Sequence, residues 1–295
     1  MSWLMDVTRW LAWLARAEGR AKSADPNEPD HVDPQRRPAP IPASLRRRCV
    51  ITHEVVGSTH VTVARPRVSR TDASVIYHHG GTYSSPISAL HWALVDRLVQ
   101  ASGATFILPF ALPAPEHTLD DALSDLTAIY ARARATVGHL IVAGDSSGGG
   151  LALVDALVAR EHGVQLPDGL LLFSPWVDVT LTSPQSEAIE PHDPVMRMAG
   201  PRAMGRVWAG ARDVRDPLVS PLYADLRGLP PMTIWQGGYD LSLPDVERFV
   251  AAARQQGNEV RFVLEPDAFH VYPVAWWTPE ARRAVRLAAS IIQRG

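Results

Sequence analysis

The segment Gly144-Asp145-Ser146-Ser147-Gly148 places a serine between two glycines near the middle of the chain. A short apolar run at 139–143 precedes it and a helical pattern at 148–161 follows, so the serine falls on a predicted strand-to-helix turn. Glycines two residues to either side let the chain close into such a strained turn. In this context the pattern G-x-S-x-G is typical of a nucleophilic serine. It predicts Ser146 as the nucleophile and places the N–H of Ser147 at a helix N-terminus, where it can face a developing oxyanion.

A serine hydroxyl is a weak nucleophile and needs an adjacent base, which is itself oriented by an acid. In hydrolases with this serine turn, the chain order is serine, acid, histidine. Three histidines follow the serine. His162 lies at a predicted helix end and His192 in an irregular segment, whereas His270 lies in the loop after a predicted strand at 259–264. We therefore expect His270 to be the base.

The acid is expected in the loop after the preceding predicted strand, at 231–236. Asp240 ends a Gly-Gly-Tyr-Asp turn in that loop. Asp245 lies five residues further on, in the opening of the next helix, where a carboxylate has an ordinary capping role. Asp267 shares the loop of the histidine and is expected to shape that turn. We predict Asp240 as the acid and keep Asp245 as the alternative.

A loop with two glycines, His79-Gly80-Gly81-Thr82, follows the predicted strand at 74–78. Such a loop can turn its backbone N–H groups towards a cavity, which the stabilisation of a tetrahedral intermediate requires. Because the serine turn lies downstream, the loop resembles the HGGG segment of lipases and esterases.

The resemblance extends to five segments, in the order found in the hormone-sensitive-lipase-like α/β-hydrolases, also called bacterial esterase family IV: VIYHHGGTY, GDSSGGG, SPWVDV, DPLVSPLYADLRGLPP and FHVY. The similarity covers roughly residues 50–293. It implies hydrolysis of carboxylic esters and a cap in two parts, the N-terminal helix and an insertion at about 178–228. It also implies an oxyanion hole formed by Gly80, Gly81, Thr82 and Ser147, with Gly81 and Thr82 favoured as N–H donors in the loop.

The chain departs from the family pattern at two places. Thr82 stands where the family has a third glycine, so the backbone N–H is kept but a hydroxyl and a methyl group are expected to face the pocket. Because a β-branched residue disfavours positive φ, we expect Thr82 to have a negative φ. The family's tyrosine–arginine segment is replaced at 110–113, a difference that we interpret as structural.

The elements that must position these residues alternate between strand-like and helix-like patterns from residue 48 onwards. Two neighbouring strands followed by repeated strand–helix units predict a mostly parallel, doubly wound sheet with an antiparallel start. The resemblance specifies the α/β-hydrolase fold, with eight strands, flanking helices and a helical cap. The predicted strands lie at 50–56, 59–64, 74–78, 104–108, 139–143, 169–173, 231–236 and 259–264. The predicted helices lie at 86–101, 119–135, 148–161, 200–211, 243–256 and 278–293.

We divide the chain into an N-terminal cap helix at 1–21, a proline-rich connector at 22–47 and a catalytic domain at 48–295 that contains the insertion. The first twenty residues have an amphipathic helical pattern. They do not resemble a signal peptide, because Asp6 and Arg9 interrupt the apolar stretch. Three interpretations of this helix remain open: it packs on its own domain, it covers the site, or it lies on a membrane surface.

The composition excludes several classes of function. With 29 basic and 31 acidic residues, the chain lacks the basic footprint of a nucleic-acid binder. The lone lysine, Lys22, follows no glycine-rich loop, so no P-loop is expected. Neighbouring residues of a strand point to opposite faces, so His78 and His79 cannot easily bind one ion, and no metal or cofactor is expected. The lone cysteine, Cys49, suits a reducing compartment, and we predict a cytoplasmic location.

Aromatic residues are the predicted wall of an apolar substrate pocket, since nine tryptophans outnumber six phenylalanines and six tyrosines. Trp176, in the loop after the predicted strand at 169–173, is the first candidate. Trp208, Trp10 and Tyr83 are the others.

These features predict a serine carboxylesterase that hydrolyses short- to medium-chain esters, acetylated metabolites or lactones through an acyl-enzyme intermediate. One alternative is a membrane-associated lipase that docks through residues 1–20. The other is a non-catalytic ligand-binding protein on the same fold, like the plant hormone receptors that resemble this family but have lost a triad member. The expected partner is a small-molecule ester or lactone, with neither nucleic acid nor stable membrane insertion, and a homodimer is left open.

Overall fold

Eight strands form one mixed sheet in the computed structural model, which describes residues 2–22 and 37–294. They are β1 (Cys49–Val56), β2 (Thr59–Pro66), β3 (Ser74–His78), β4 (Thr105–Phe110), β5 (Leu140–Asp145), β6 (Gly169–Phe173), β7 (Met232–Gly237) and β8 (Val260–Glu265). Their order in the sheet is β1-β2-β4-β3-β5-β6-β7-β8. The first two pairings are antiparallel and the others are parallel.

Nine α-helices lie within the described residues. They are α1 (Trp3–Lys22), α2 (Ala43–Arg48), α3 (Ala89–Ser102), α4 (Leu119–Thr136), α5 (Ser147–Glu161), α6 (Pro184–Ile189), α7 (Ala199–Ala209), α8 (Leu243–Gln255) and α9 (Pro279–Ile292). Side chains of α3 and α9 form one apolar core with one face of the sheet. Side chains of α4, α5 and α8 form a second core on the other face.

The central strands read as continuous apolar runs because both of their faces are covered. Every residue of β3, β5, β6 and β7 is buried. The carboxyl ends of parallel strands lie at one edge of a sheet, so the loops that follow β3, β5, β7 and β8 meet there. These four loops carry the predicted oxyanion donors, nucleophile, acid and base.

The predicted fold class is confirmed, and each predicted strand agrees with the structure to within two residues at either end. Two short helices were not predicted, α2 and α6, because six residues are too few to show a helical period. Helix α2 lies in the predicted connector at 22–47 except for its last residue, Arg48, and residues 23–36 of that connector are outside the described part of the chain. The division into domains stays a prediction.

Helix α1 packs against the body of the protein along one side. Met5 is fully buried in the first core, and Thr8 Oγ1 accepts a hydrogen bond from Trp277 Nε1 at 2.8 Å. The other side of α1 exposes apolar side chains: Trp3, Val7, Trp10, Leu11 and Trp13. None of the described helices is both long and apolar enough to cross a membrane.

Candidate active site

Ser146 lies at the tight turn between β5 and α5, with the left-handed φ of 52°. A Cβ on Gly144 would lie 2.2 Å from the carbonyl oxygen of Gly148, and a Cβ on Gly148 would lie 2.1 Å from that of His78. Both flanking residues must therefore be glycine, which is the physical reason for the spacing in the sequence. The turn is held by a hydrogen bond of 2.8 Å from the Trp176 N–H to the Ser146 carbonyl oxygen.

The three residues predicted as nucleophile, base and acid form one hydrogen-bonded chain. His270 Nε2 lies 2.9 Å from Ser146 Oγ, and His270 Nδ1 lies 2.8 Å from Asp240 Oδ2. All three side chains are buried. With its proton on Nδ1, the neutral His270 ring can donate a hydrogen bond to the Asp240 carboxylate. Nε2 then carries no proton and can accept a hydrogen bond from the Ser146 hydroxyl.

Asp240 is oriented by its own neighbour in the turn. Its Oδ1 accepts hydrogen bonds from the Ser242 N–H at 2.9 Å and the Ser242 hydroxyl at 2.7 Å, so Oδ2 is left for His270. The alternative acid, Asp245, lies in the first turn of α8 and pairs with Arg248 at 3.1 Å. Among the described contacts, Asp245 has none with His270. Asp267 pairs with Arg9 on α1 at 3.8 Å.

The carboxylate also sets the electrostatics of the imidazole. Burial alone would lower the pKa of His270, but the charge and the hydrogen bond of Asp240 raise it above the ordinary value of 6.5. Burial would raise the pKa of Asp240, but the adjacent imidazole and Ser242 hold it below its usual range. Both shifts favour the charged forms of the two groups, and a carboxylate in this position can stabilise an imidazolium.

A second carboxylate that sequence reasoning missed lies behind this pair. Asp193, in the segment between α6 and α7, is fully buried. Its Oδ2 accepts the N–H of Leu241, next to Asp240, at 2.9 Å, and its Oδ1 accepts the N–H groups of Val195 and Met196. Burial, followed by the charge of Asp240, raises the pKa of Asp193 to about 6. An Asp-Pro pair in an irregular segment was the available signal, but nothing local connects it with Asp240.

The loop after β3 lies directly over the serine turn. A Cβ on Gly80 would lie 2.4 Å from Asp145 Oδ2 and 2.9 Å from Ser146 Cβ, so this approach requires glycine. Among the described residues, none accepts a hydrogen bond from the backbone N–H groups of Gly81, Thr82 or Ser147. These donors are therefore free to bind an oxyanion.

The expectation of a negative φ at Thr82 is wrong. Its φ is +53°, and that of Tyr83 is +59°. The two residues are the centre of a turn that the Ser84 N–H closes onto the Gly81 carbonyl oxygen at 3.0 Å, and a hairpin-type turn of this hand requires positive φ at both central residues. The side chain of Thr82 is not part of the cavity wall described below; its Oγ1 lies 3.2 Å from Ser84 Oγ.

Asp145, the residue before Ser146, has a structural role at the turn. Its carboxylate accepts a hydrogen bond of 2.6 Å from the Tyr77 hydroxyl and lies 3.3 Å from His91 Nε2. Burial would raise the pKa of Asp145, but His91 and Tyr77 hold it below its ordinary value. His79 Nδ1 lies 2.7 Å from the Gly80 carbonyl oxygen, and burial, together with His91, lowers the pKa of His79 to about 4. His79 is consequently neutral near pH 7.

A cavity of about 800 Å³ opens beside the loop. Gly80, Tyr83, Ser147 and Trp208 belong to its wall, together with apolar residues that include Ile41, Phe110, Leu151 and Met204. Two residues predicted to contact substrate are not part of this wall: Trp176 lies buried behind Tyr83, and Trp10 is 58% exposed on α1. No cluster of three or more potential metal ligands occurs within residues 2–22 and 37–294.

Comparison with known proteins adds independent information. A family model described as the alpha/beta hydrolase fold matches residues 75–274. An acetyl-hydrolase of Streptomyces hygroscopicus is 30% identical over 247 residues, which are 81% of this chain and 82% of that protein. An esterase of Acinetobacter venetianus is 32% identical over 219 residues, 72% of each chain. The crystal structure of a hormone-sensitive lipase from a metagenome library has a TM-score of 0.85 and 27% identity, over 99% of this chain and 98% of that one.

Proposed function

The chain belongs to the hormone-sensitive-lipase-like α/β-hydrolases and is a hydrolase of ester bonds, and we propose that Ser146, His270 and Asp240 carry out its reaction. The observation that carries the proposal is the continuous hydrogen-bonded chain from Ser146 Oγ through the His270 ring to Asp240. A nucleophile in contact with an oriented base is the geometry that acyl transfer requires.

In the first half of the proposed reaction, Ser146 Oγ forms a bond to the acyl carbon while His270 Nε2 takes the hydroxyl proton. The carbonyl oxygen becomes an oxyanion, which the N–H groups of Gly81, Thr82 and Ser147 bind. His270 then gives its proton to the alcohol oxygen as the bond between carbon and alcohol breaks. Asp240 keeps the imidazole in the required tautomer and stabilises the imidazolium.

In the second half, water takes the place of the alcohol. His270 removes a proton from the water as its oxygen attacks the acyl carbon, and the same N–H groups bind the second oxyanion. The proton then passes to Ser146 Oγ, so that the acid product leaves and the hydroxyl is restored. No proton is left on the enzyme at the end of the cycle.

The cavity supports an acyl group of medium length. The alcohol oxygen must lie near His270 to be protonated, and His270 is not part of the cavity wall, whereas Gly80 and Ser147 are. With the alcohol group on the His270 side, the acyl chain extends in the opposite direction, past Gly80 and Ser147, into the cavity. Each CH₂ buried there contributes about 0.8 kcal/mol, or roughly fourfold in rate.

A chain-length series tests this assignment, with p-nitrophenyl esters from acetyl to octanoyl and a simple lactone. We expect kcat/KM to rise from acetyl to hexanoyl by up to about fourfold per CH₂, and Ser146→Ala to be inactive with all of them. A steep preference for acetyl would instead favour acetylated metabolites, which the name of the Streptomyces relative suggests. Preferred turnover of the lactone would favour a lactone hydrolase.

A lipase that acts at a membrane surface is the second candidate. The exposed apolar side of α1, with Trp3, Trp10 and Leu11, favours it. Liposome flotation of the intact chain and of a Trp10→Ser/Leu11→Ser variant separates the two candidates. For an esterase of dissolved substrates, both proteins should stay at the bottom of the gradient. Flotation of the intact chain with the liposomes, but not of the variant, would support the lipase.

The cytoplasmic location and the homodimer stay predictions from the sequence. Size-exclusion chromatography with light scattering measures the mass in solution, to be compared with 32.2 kDa for one chain. Cell fractionation tests the location.

A further inference from the structure

The ring of Tyr83 lies between two tryptophans in a stack that links three parts of the molecule. Its centroid is 4.6 Å from that of Trp208, with the planes 9° apart, and 5.5 Å from that of Trp176, with the planes 20° apart. Both tryptophans are only 1% exposed. We call these three side chains the aromatic stack.

Each member of the stack comes from a different element. Tyr83 belongs to the loop that carries the N–H groups of Gly81 and Thr82. Trp176 follows β6, and its N–H donates to the carbonyl oxygen of Ser146. Trp208 lies on α7, inside the insertion. The stack therefore connects the insertion with both sides of the proposed oxyanion hole.

Two further contacts hold Tyr83 in place. Its N–H donates to Ser147 Oγ at 3.4 Å, and its hydroxyl lies where a Cβ on Gly150 would approach it to 2.8 Å. The ring thus lies close over the first turn of α5, at a position where the helix has no side chain.

The backbone conformation of this loop is strained and must be stabilised by contacts with the rest of the protein. Thr82 and Tyr83 are consecutive non-glycine residues in the left-handed region, and one of them is β-branched. Conformations of this kind persist only where the surroundings over-determine them, and they are concentrated at functional sites. The aromatic stack packs this loop against two buried tryptophans from other elements.

We propose that Tyr83 is a positioning residue of the oxyanion hole. Its ring stack with Trp208 and Trp176 keeps the loop in its left-handed turn, and this turn sets the position of the Gly81 and Thr82 N–H groups. Helix α7 thereby contributes to the hole without touching the oxyanion. The inference rests on the proposed function, because the oxyanion hole has meaning only for acyl transfer.

Tyr83 and Trp208 also belong to the cavity wall, so a direct effect on substrate binding must be separated from an effect on the loop. A wall residue changes the preference among acyl groups. A residue that positions the oxyanion donors changes kcat for every acyl group alike, because all esters form the same oxyanion. Met204 is the matched control, since it lies on α7 and in the wall but not in the stack.

The first test compares Tyr83→Leu, Tyr83→Phe and Met204→Ala with acetyl, butyryl and octanoyl esters. In Tyr83→Leu we expect kcat to fall about ten- to hundredfold for all three esters, less than the loss of a donor outright. Tyr83→Phe keeps the ring and should restore most of that kcat. Met204→Ala should change the ratio between octanoyl and acetyl instead. A loss in Tyr83→Leu that grows with chain length and lies in KM would overturn the inference.

The second test adds Thr82→Gly to Tyr83→Leu. Glycine adopts a φ of +53° without steric cost, so the factor by which Thr82→Gly changes kcat should be several-fold more favourable in the Tyr83→Leu background than in the parent. A purely structural defect would not be repaired in this way, and equal effects in both backgrounds would contradict the proposal. If Tyr83→Leu fails to unfold cooperatively, Trp208→Leu disrupts the same stack from the insertion. If the parent itself shows no serine-dependent turnover, the proposed function fails rather than this inference.

Discussion

Asp240 directs one carboxylate oxygen to its own turn and the other to His270. In Asp240→Asn the amide group that takes the place of Oδ2 would donate to Nδ1, so the imidazole proton would move to Nε2 and face the serine. We expect kcat to fall by about 10⁴-fold, as in serine proteases with the same change, while the fold is kept. Steady-state kinetics with one p-nitrophenyl ester is the measurement.

Asp245→Asn is the matched control, because Asp245 is also buried and five residues away but pairs with Arg248. Its activity should change by less than about tenfold, since an exposed arginine partner contributes little. If the two variants behaved in the reverse order, the acid would have been assigned to the wrong carboxylate.

Thr82 is the residue at which the sequence pattern and the structure disagree. A β-branched residue at φ +53° is strained, so Thr82→Gly removes that cost but gives the unfolded chain more freedom. We expect the free energy of unfolding to stay equal or to rise by up to about 1 kcal/mol in urea titration. The preference among acyl groups should change little, because the side chain faces Ser84. A loss above about 1 kcal/mol would point to a negative φ.

The segment between α6 and α7 contacts the loop of Asp240 through the carboxylate of Asp193. This carboxylate adds to that of Asp240 in raising the pKa of His270, against the effect of burial, and Asp145 acts in the same direction. His91, with Nε2 at 3.3 Å from Asp145, is a further titratable group beside them. The base works in its neutral form, so a raised pKa puts the acid limb of kcat/KM above pH 6.5. In Asp193→Asn this limb should move to lower pH.

Asp213→Asn is the control for that pH profile, since Asp213 lies in the same insertion but is exposed. Its acid limb should coincide with that of the parent. A profile of Asp193→Asn that keeps its shape and loses only height would assign Asp193 a role in folding of the insertion alone.

Helix α1 packs on the loops that contain Asp240 and His270. Arg9 donates to the carbonyl oxygen of Asp267 at 3.1 Å, and its guanidinium lies 4.0 Å from the ring centroid of Tyr239, next to Asp240. Of the three interpretations of this helix, packing on its own domain is confirmed by these contacts and by the burial of Met5. A role in covering the site stays a prediction.

For the molecule as a whole, local patterns were sufficient for most of the fold. The strands β3, β5, β6 and β7 were predictable because burial on both faces leaves a continuous apolar run. The serine turn was predictable because its G-x-S-x-G pattern lies between a strand-like run and a helical pattern, and Gly144 is required by its contact with Gly148 inside the turn, although Gly148 itself is required by the distant His78 carbonyl.

What could not be predicted depends on contacts between distant residues. The φ of Thr82 is set by a turn whose other central residue, Tyr83, stacks on Trp208, 125 positions further along the chain. Asp193 reaches the loop of Asp240 only because the insertion folds back over the sheet edge, where Asp193 meets Leu241, 48 positions further along the chain. Helix propensity, period and turn residues carry no information about such pairs.

Covalent labelling tests the assignment of the nucleophile most directly. A p-nitrophenyl alkylphosphonate should react with the intact protein to give one adduct per chain, with loss of activity in step with the adduct. Peptide mapping by mass spectrometry should place it on Ser146, and Ser146→Ala should remain unlabelled while it unfolds at the same temperature as the parent. An adduct on Ser147 or on any other serine, or ester turnover that persists in Ser146→Ala, would contradict the assignment.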